Sequence, residues 1–534
     1  MKYFYKKISV ILILCMTISA FSGCKKKDNG VNDSDSSKKT AQSTGGSKST
    51  SQKSSASTGT VSQSAKNQGT GASASNGSAG NYASNQEKKD GNDSTMPEND
   101  GGGSDESSTG EKNYDLKGRE IKVLYLYDDV FQVPSENYGT RLGDVKYKLF
   151  LEAEQKFNCK FVFEQIKTEK TAMQEMEQAL LAGVYYADAI RLYRYQALPK
   201  YEKLGMILPL NDYIDFSAPA YQKYEQINGV LYPDKIYAFY NCATLTFMSL
   251  FYNKNITERE GLPDIMELDR QGNWNWDTFA DMAIRATKDT DGDGVIDQWG
   301  AGANNATTLS TAILYSNLAP IVGRQENGEY KYNLMSSQAL KALQFVSDLY
   351  HTYKVVPNKN ALSDFRQGKL AMYIANNASH TTTFVGNGIT NVGCVVLPYG
   401  PDNPGNMYMR EQGSHMYFYL SNIEDPEAVV NAMAWWNVPW DESKSDYVTF
   451  EDMELGNAEL YFGSLQDPQS NIDYFMSTLK SHKLVYDYVR YFDPTNDLVT
   501  KEVFNKIAAQ VISPVSNIKS IETQVEDAIK TAIN

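Results

Sequence analysis

Glu120-Ile-Lys-Val-Leu-Tyr-Leu-Tyr127 and Cys159-Lys-Phe-Val-Phe-Glu-Gln-Ile166 are short runs rich in β-branched and aromatic residues, and Ala187-Asp-Ala-Ile-Arg-Leu192 is a third, shorter run built on Ala, Ile and Leu. Each has the length and composition of a buried strand. Between the first two, Val145, Leu149, Ala153 and Phe157 recur at helical spacing. Between the second and third, Thr171 to Ala182 reads as a helix that Gly183 ends. Parallel neighbours need a long return connection, so strand, helix, strand, helix, strand predicts an α/β fold built on a parallel sheet with helical crossovers. Ligands gather at the carboxyl ends of such strands. The candidates there are Tyr127, Asp128, Arg191, Tyr193, Arg194 and Tyr195, although each tyrosine also reads as a half-buried surface residue.

Upstream the chain has a different character. Residues 1–23 carry Lys2, Lys6 and Lys7, then an apolar run from Ile8 to Phe21, which is shorter than the roughly 20 residues of a membrane span. The segment reads as an export signal. Phe21-Ser22-Gly23-Cys24, followed by Lys25–Lys27, resembles a bacterial lipobox, in which Cys24 becomes the first residue and carries lipid such as palmitate. A plain signal peptide with an incidental cysteine is the alternative. From Lys25 to about Asn113, Ser, Gly, Thr, Asn, Lys and Asp dominate. Such a stretch buries too little apolar surface to offset its ordering entropy. It reads as a disordered tether with a span of roughly 50 Å, from about 5–6 Å times the square root of its length, or as a modified stalk. The expected location is the extracellular face of a bacterial cell membrane, of the Gram-positive type, with the membrane as a partner through the anchor.

The remainder, Tyr114 to Asn534, is too long for one ordinary core and implies two domains. The formal net charge of −14 argues against nucleic-acid binding. After export Cys24, Cys159, Cys242 and Cys394 remain, too few for a disulfide framework. The histidines His351, His380, His415 and His482 show no metal-ligand spacing. No nucleophile elbow or phosphate loop is present, and no motif singles out a pair of carboxylates. The chain does not read as an enzyme.

Residues 272–302, GNWNWDTFADMAIRATKDTDGDGVIDQWGAG, combine a helix with an acidic loop. Asp277 is placed to cap or charge the helix start, and Phe279, Met282, Ala283 and Ala286 form its apolar face. Asp289, Asp291 and Asp293 stand at positions 1, 3 and 5 of an EF-hand loop, Gly294 at 6 and Asp297 at 9. Position 12 is Gly300, so the usual bidentate glutamate is missing. The loop is expected either to hold a structural Ca²⁺ or to be a polar turn closed by Asx hydrogen bonds.

Several further segments recur in a known order: Leu180-Leu-Ala-Gly183 with Ala187-Asp188, Leu204–Leu210, Leu250-Phe-Tyr-Asn-Lys254, Trp274–Phe279, Asp291–Gly294 with Trp299-Gly300, Phe365–Met372 and Val392–Pro398. Together they resemble the extracellular solute-binding proteins of the maltose-binding type, family 1, the lipoprotein component of carbohydrate ABC transporters. The resemblance implies a two-lobe periplasmic-binding-protein-like fold with an interlobe ligand cleft and hinge crossings. The first lobe would hold 115–247 plus 395–440 and the second 248–394 plus 441–534. Ile423 to Trp436 would be a helix with Asp425 at its start and Pro426 in its first turn, and Ile521 to Ala532 the closing helix. The partners implied are a sugar or oligosaccharide and the permease subunits of an importer.

Sugars expose apolar faces and hydroxyl edges, so their sites need aromatic platforms beside polar groups. Tyr240 and Asn241 before the first crossing, and Arg410 before the strand from His415, supply both. Where the family often has an aromatic residue after its Phe365–Met372 segment, this chain has Asn376-Asn377-Ala378-Ser379-His380. That departure leaves Asn376 and His380 as polar contacts and speaks against maltose itself. Trp274, Trp276, Trp435 and Trp436 read as packing residues. The resemblance also puts Cys242 and Cys394 on or beside neighbouring crossings, as a disulfide or as two separate buried thiols. The alternatives to import are a sensory ligand-binding lipoprotein without transport, and a surface polysaccharide-active enzyme.

Overall fold

The structure is a computed structural model. It describes residues 112–126, 133–136, 140–222, 235–238, 248–357, 361–375, 381–411, 415–510 and 513–533.

The chain begins with β1 (Arg119–Tyr125), α1 (Arg141–Lys156), β2 (Cys159–Gln165), α2 (Glu169–Leu181) and β3 (Ala189–Tyr193). β1 pairs in parallel with both β2 and β3, as the crossover pattern requires. Thr140 caps α1 by accepting from the Gly143 amide, and the helix buries Leu142, Val145, Leu149 and Ala153. α2 starts at Glu169, two residues before the expected Thr171, because the Thr168 hydroxyl accepts the Thr171 amide. β3 runs from Ala189 to Tyr193 rather than from Ala187 to Leu192. Just before it, buried Asp188 accepts from the Lys122 amide and the Tyr185 hydroxyl and pairs with Arg119, which locks β3 beside β1.

A second sheet follows, from β4 (Ser249–Asn253), α3 (Trp276–Ala286), β5 (Trp299–Ala303), α4 (Ala306–Ser316), β6 (Val322–Arg324), β7 (Tyr330–Tyr332), α5 (Ser337–Ser347), β8 (Leu370–Ala375) and β9 (Val392–Val395). The chain ends with β10 (Met407–Glu411), β11 (His415–Tyr419), α6 (Pro426–Asn437), α7 (Phe450–Phe462), α8 (Pro468–Ser481), β12 (Lys483–Asp487) and α9 (Pro514–Ile533). The sheet orders are β11-β3-β1-β2 and β5-β8-β4-β9, with smaller pairs β10-β12 and β6-β7. The chain thus leaves the first sheet after β3, builds the second, and returns with β11, which lies antiparallel to β3. The fold is α/β with two lobes.

Several local expectations change. The cap of α3 is Asn275, whose side chain accepts the Thr278 amide, while Asp277 sits in the first turn. α6 begins at Pro426 and not at Ile423, with Asp425 before it as expected, in a left-handed conformation (φ 48°) and without a side-chain cap. The closing helix α9 starts at Pro514, earlier than Ile521.

Trp274, Trp276 and Trp436 lie inside, and Trp435 is half-buried. Trp436 is fully buried edge-on against Phe150, Phe161, Phe163 and Tyr417. Trp274 Nε1 donates to the Val396 carbonyl, and Trp276 stacks on Phe345 at 4.6 Å. Burying side chains of this size stabilises the fold by about 1.5–3 kcal/mol each. Cys394 lies in β9 opposite Phe251 of β4 and is buried, as is Cys159, and neither is bonded to another described cysteine. Cys242 lies outside the described residues, so nothing bears on its expected pairing. Among the described residues no helix is long and apolar enough to cross a membrane.

Candidate functional site

Side chains alternate across a strand, so Arg191 and Tyr193 of β3 share one face and Leu192 takes the other. The antiparallel register sets Tyr417 beside Arg191 and His415 beside Tyr193. The Arg191 guanidinium lies 5.6 Å from the Tyr417 ring centre, and the rings of His415 and Tyr193 are 3.5 Å apart. Arg194 follows in a short helix (Arg194–Ala197), and there its guanidinium meets Met416 of β11, on the opposite face from Tyr417. Arg191 and Arg194 are both buried.

A hydrogen-bonded circuit holds this edge together. The Tyr193 amide donates to Gln196 Oε1 at 2.9 Å, and Gln196 Nε2 donates to Glu169 Oε2 at 2.7 Å. His415 Nε2 meets Glu169 Oε1 at 3.0 Å. Burial opposes a charge on Glu169, but the hydrogen bonds from His415 and Gln196 outweigh it and hold its carboxyl below the usual range. Tyr195 stacks on Tyr193 at 5.1 Å with an interplanar angle of 14°, and Arg490 lies over the Tyr195 ring at 5.4 Å. Beside the circuit a groove of about 720 Å³ runs along the start of α2, lined by Leu126, Lys167, Thr168, Glu169, Gln196 and Lys200 among others.

Polar groups also gather where α1 meets α7. Lys146 of α1 is fully buried, with its ammonium 5.3 Å from the Trp436 ring, and Glu454 and Asn457 of α7 are buried as well. Arg141 and Asp452 form an ion pair at 3.5 Å, and Lys148 and Asp446 one at 2.7 Å. These contacts join residues 141–148 to residues 446–457, which the resemblance assigns to different lobes.

Of the expected ligand contacts, the structure brings Arg191 and Tyr193 onto one face and sends Arg194 to the other. Arg410 lies on β10 opposite Tyr486 of β12. Tyr127, Asp128, Tyr240, Asn241, Asn376, His380 and the lipidation candidate Cys24 lie outside the described residues. Glu169, Gln196, His415 and Arg490 went unassigned from sequence. Glu169 had a usable signal, since it follows Thr168 at a helix start after β2, in the loop class where parallel sheets place their sites. Arg490 had none.

The acidic loop is only partly the expected cage. Carboxylate oxygens of Asp289, Asp291 and Asp297 lie within 4.8 Å of one another. Asp293, expected as the position-5 ligand, falls outside that group and accepts the Val295 amide at 2.8 Å, a local Asx-type turn. Asp289 accepts the Gly292 and Gly294 amides, and Asp297 accepts the Thr290 amide and hydroxyl. These bonds hold both carboxyls below the usual range, the Gly294 amide acting most on Asp289 and the Thr290 amide most on Asp297. Gly300, at position 12, is packed under α3, where an added Cβ would lie 1.9 Å from the Ala283 carbonyl oxygen. A twelfth-position glutamate is therefore sterically excluded.

Comparison with curated proteins gives no match. Among solved structures, the fold is similar to the maltose/maltodextrin-binding domain of Bdellovibrio bacteriovorus bound to maltotriose, at 16% identity and TM-score 0.52, covering 77% of this chain and 100% of that one. It is similar to the cyclic alpha-maltosyl-1,6-maltose binding protein of Arthrobacter globiformis, at 12% identity and TM-score 0.56, covering 77% and 99%. It is also similar to UgpB of Mycobacterium tuberculosis in complex with glycerophosphocholine, at 16% identity and TM-score 0.53, covering 78% and 99%. These are binding proteins, and at such identities they share the fold. Residues 142–440 match the family described as bacterial extracellular solute-binding protein, more than half of the chain, and the protein belongs to that family.

Proposed function

We propose that this protein captures a sugar or oligosaccharide outside the cell and delivers it to the permease subunits of an ABC importer, held at the membrane by lipid on Cys24. Family membership supports capture of an extracellular solute. The observation that carries the saccharide reading is the carboxyl edge of the first sheet, where Arg191, Tyr193, His415 and Glu169 combine aromatic rings with charged and hydrogen-bonding groups. Fold neighbours that hold saccharides point the same way. The test is calorimetry of the exported chain against neutral and acidic oligosaccharides, with glycerophosphocholine as a non-sugar control. Binding to at least one saccharide is expected. Binding to the control alone would refute the sugar reading.

Solute held between two lobes favours closure by as much as it binds the closed state better. Scattering with a bound saccharide should therefore show a smaller radius of gyration for the folded unit. In the second lobe, Ca²⁺ held by Asp289, Asp291 and Asp297 would be a structural ion, a reading supported by the approach of their carboxylates.

A further inference from the structure

Two rings already pack on Tyr193, so its place at the solute site depends on how those neighbours are held. Glu169 reaches both sides of it. One carboxylate oxygen takes His415, and the other takes Gln196, whose own oxygen takes the Tyr193 amide. Donor and acceptor types leave no freedom in this order. The Tyr193 N–H can only donate, so the amide oxygen of Gln196 faces it and the amide nitrogen faces the acceptor-only carboxylate. The circuit closes through the contact of His415 with the Tyr193 ring.

Beyond Tyr193 the stack continues through Tyr195 to Arg490. Arg490 comes three residues after Asp487, which is fully buried and accepts the amides of Ile321 and Val322 at the start of β6. The row His415, Tyr193, Tyr195, Arg490 thus runs from the first sheet to a segment pinned on the second lobe.

We propose that Glu169 is a positioning residue of the solute site. Through Gln196 and His415 it fixes Tyr193 and the Tyr195–Arg490 contact beyond it, and so sets solute affinity without touching the solute. This rests on the saccharide reading above. A simpler role for Glu169 is a negative charge in the first turn of α2, favourable to the helix dipole. An exchange of the two residues separates these roles. In Glu169→Gln the carboxylate is lost and Gln196 faces an amide, so one link of the circuit fails. In Glu169→Gln combined with Gln196→Glu, the carboxylate placed at 196 accepts from the Tyr193 amide and from the amide placed at 169. That amide's oxygen then accepts from His415, so every link returns while the charge moves off α2 onto the neighbouring short helix.

The test uses the full exported chain and two readouts. Calorimetry measures affinity for the best saccharide of the panel, and hydrogen exchange with mass spectrometry follows the backbone amides of residues 193–197. Glu169→Gln is expected to weaken binding roughly tenfold, the scale of one lost charge-assisted hydrogen bond, and to speed exchange in that segment. Gln196→Ala should speed it as well. The double variant should recover both readouts. The proposal is overturned if Glu169→Gln matches the wild type in both, or if the double variant melts like the wild type yet recovers neither. If the wild type binds no saccharide, the sugar reading falls, and the exchange readout alone decides whether Glu169 positions Tyr193.

Discussion

Gly300→Glu would supply the carboxylate that the acidic loop lacks at its twelfth position, and the structure predicts that it destabilises the protein instead. The new Cβ would lie 1.9 Å from the Ala283 oxygen and 2.5 Å from its carbonyl carbon. Ordinary contact begins at 3.4 Å, so β5 and α3 would have to part by about 1.5 Å. α3 has little room to retreat, because Phe279, Met282, Ala283 and Ala286 are all fully buried and Trp276 stacks on Phe345. Overpacking against flexible side chains costs about 1–3 kcal/mol. A rigid backbone contact belongs at the upper end, about 3 kcal/mol. With about 2–4 °C of melting temperature per kcal/mol in a mid-sized domain, the loss is about 6–12 °C. The assay is urea and thermal unfolding of wild type, Gly300→Ala and Gly300→Glu, each with calcium and with chelator. Alanine should lose nearly as much as glutamate, since the first carbon does the damage, and calcium should rescue neither. A glutamate variant as stable as the wild type, or one that closes its gap to the wild type once calcium is added, would refute the reasoning.

Asp487 yields a pH prediction: its burial pushes its carboxyl up to about 6, against the amides of Ile321, Val322 and Val489 that favour the charge. The native state then keeps a proton that the unfolded chain releases near pH 4, so this contribution to stability falls as pH rises from about 4 to 6; urea unfolding across that range should show the slope in wild type and a smaller one in Asp487→Asn. Should Asp289, Asp291 and Asp297 hold Ca²⁺, chelation will lower the melting temperature of wild type and leave Asp291→Ala unmoved, because a ligand bound only by the native state stabilises it. Changing Cys24 to Ala should move the mature protein from the detergent phase to the aqueous phase in phase partitioning, and a wild type already in the aqueous phase would end the lipid-anchor reading.

Much of the first lobe was legible along the chain. The strand and helix runs from Glu120 to Tyr193 follow from local apolar periodicity, since a strand or helix buried on one face must repeat its apolar residues at its own period. Errors at the ends came from caps. Thr168 and Asn275 accept amides three residues on, and those bonds rather than the acidic residues nearby set where α2 and α3 begin. In the site, the carboxyl-edge rule reached Arg191, Tyr193 and Arg194, because strand ends can be counted from sequence. It could not say that Arg194 turns to Met416, away from Tyr417 and His415, since that depends on the pairing of β3 with a strand more than two hundred residues away.

The α/β class, the apolar faces, the acidic loop and the ordered motifs of the solute-binding family are each written in residues close together in the chain. Which distant groups meet depends on how the elements pack: Glu169 with His415, Tyr195 with Arg490, Asp487 with the amides of Ile321 and Val322. The same packing makes Gly300, at the end of the calcium-loop pattern, a packing residue. The backbone of α3 crosses β5 at that point with no room for a side chain, and such a contact between two packed elements leaves no trace in the spacing of the loop.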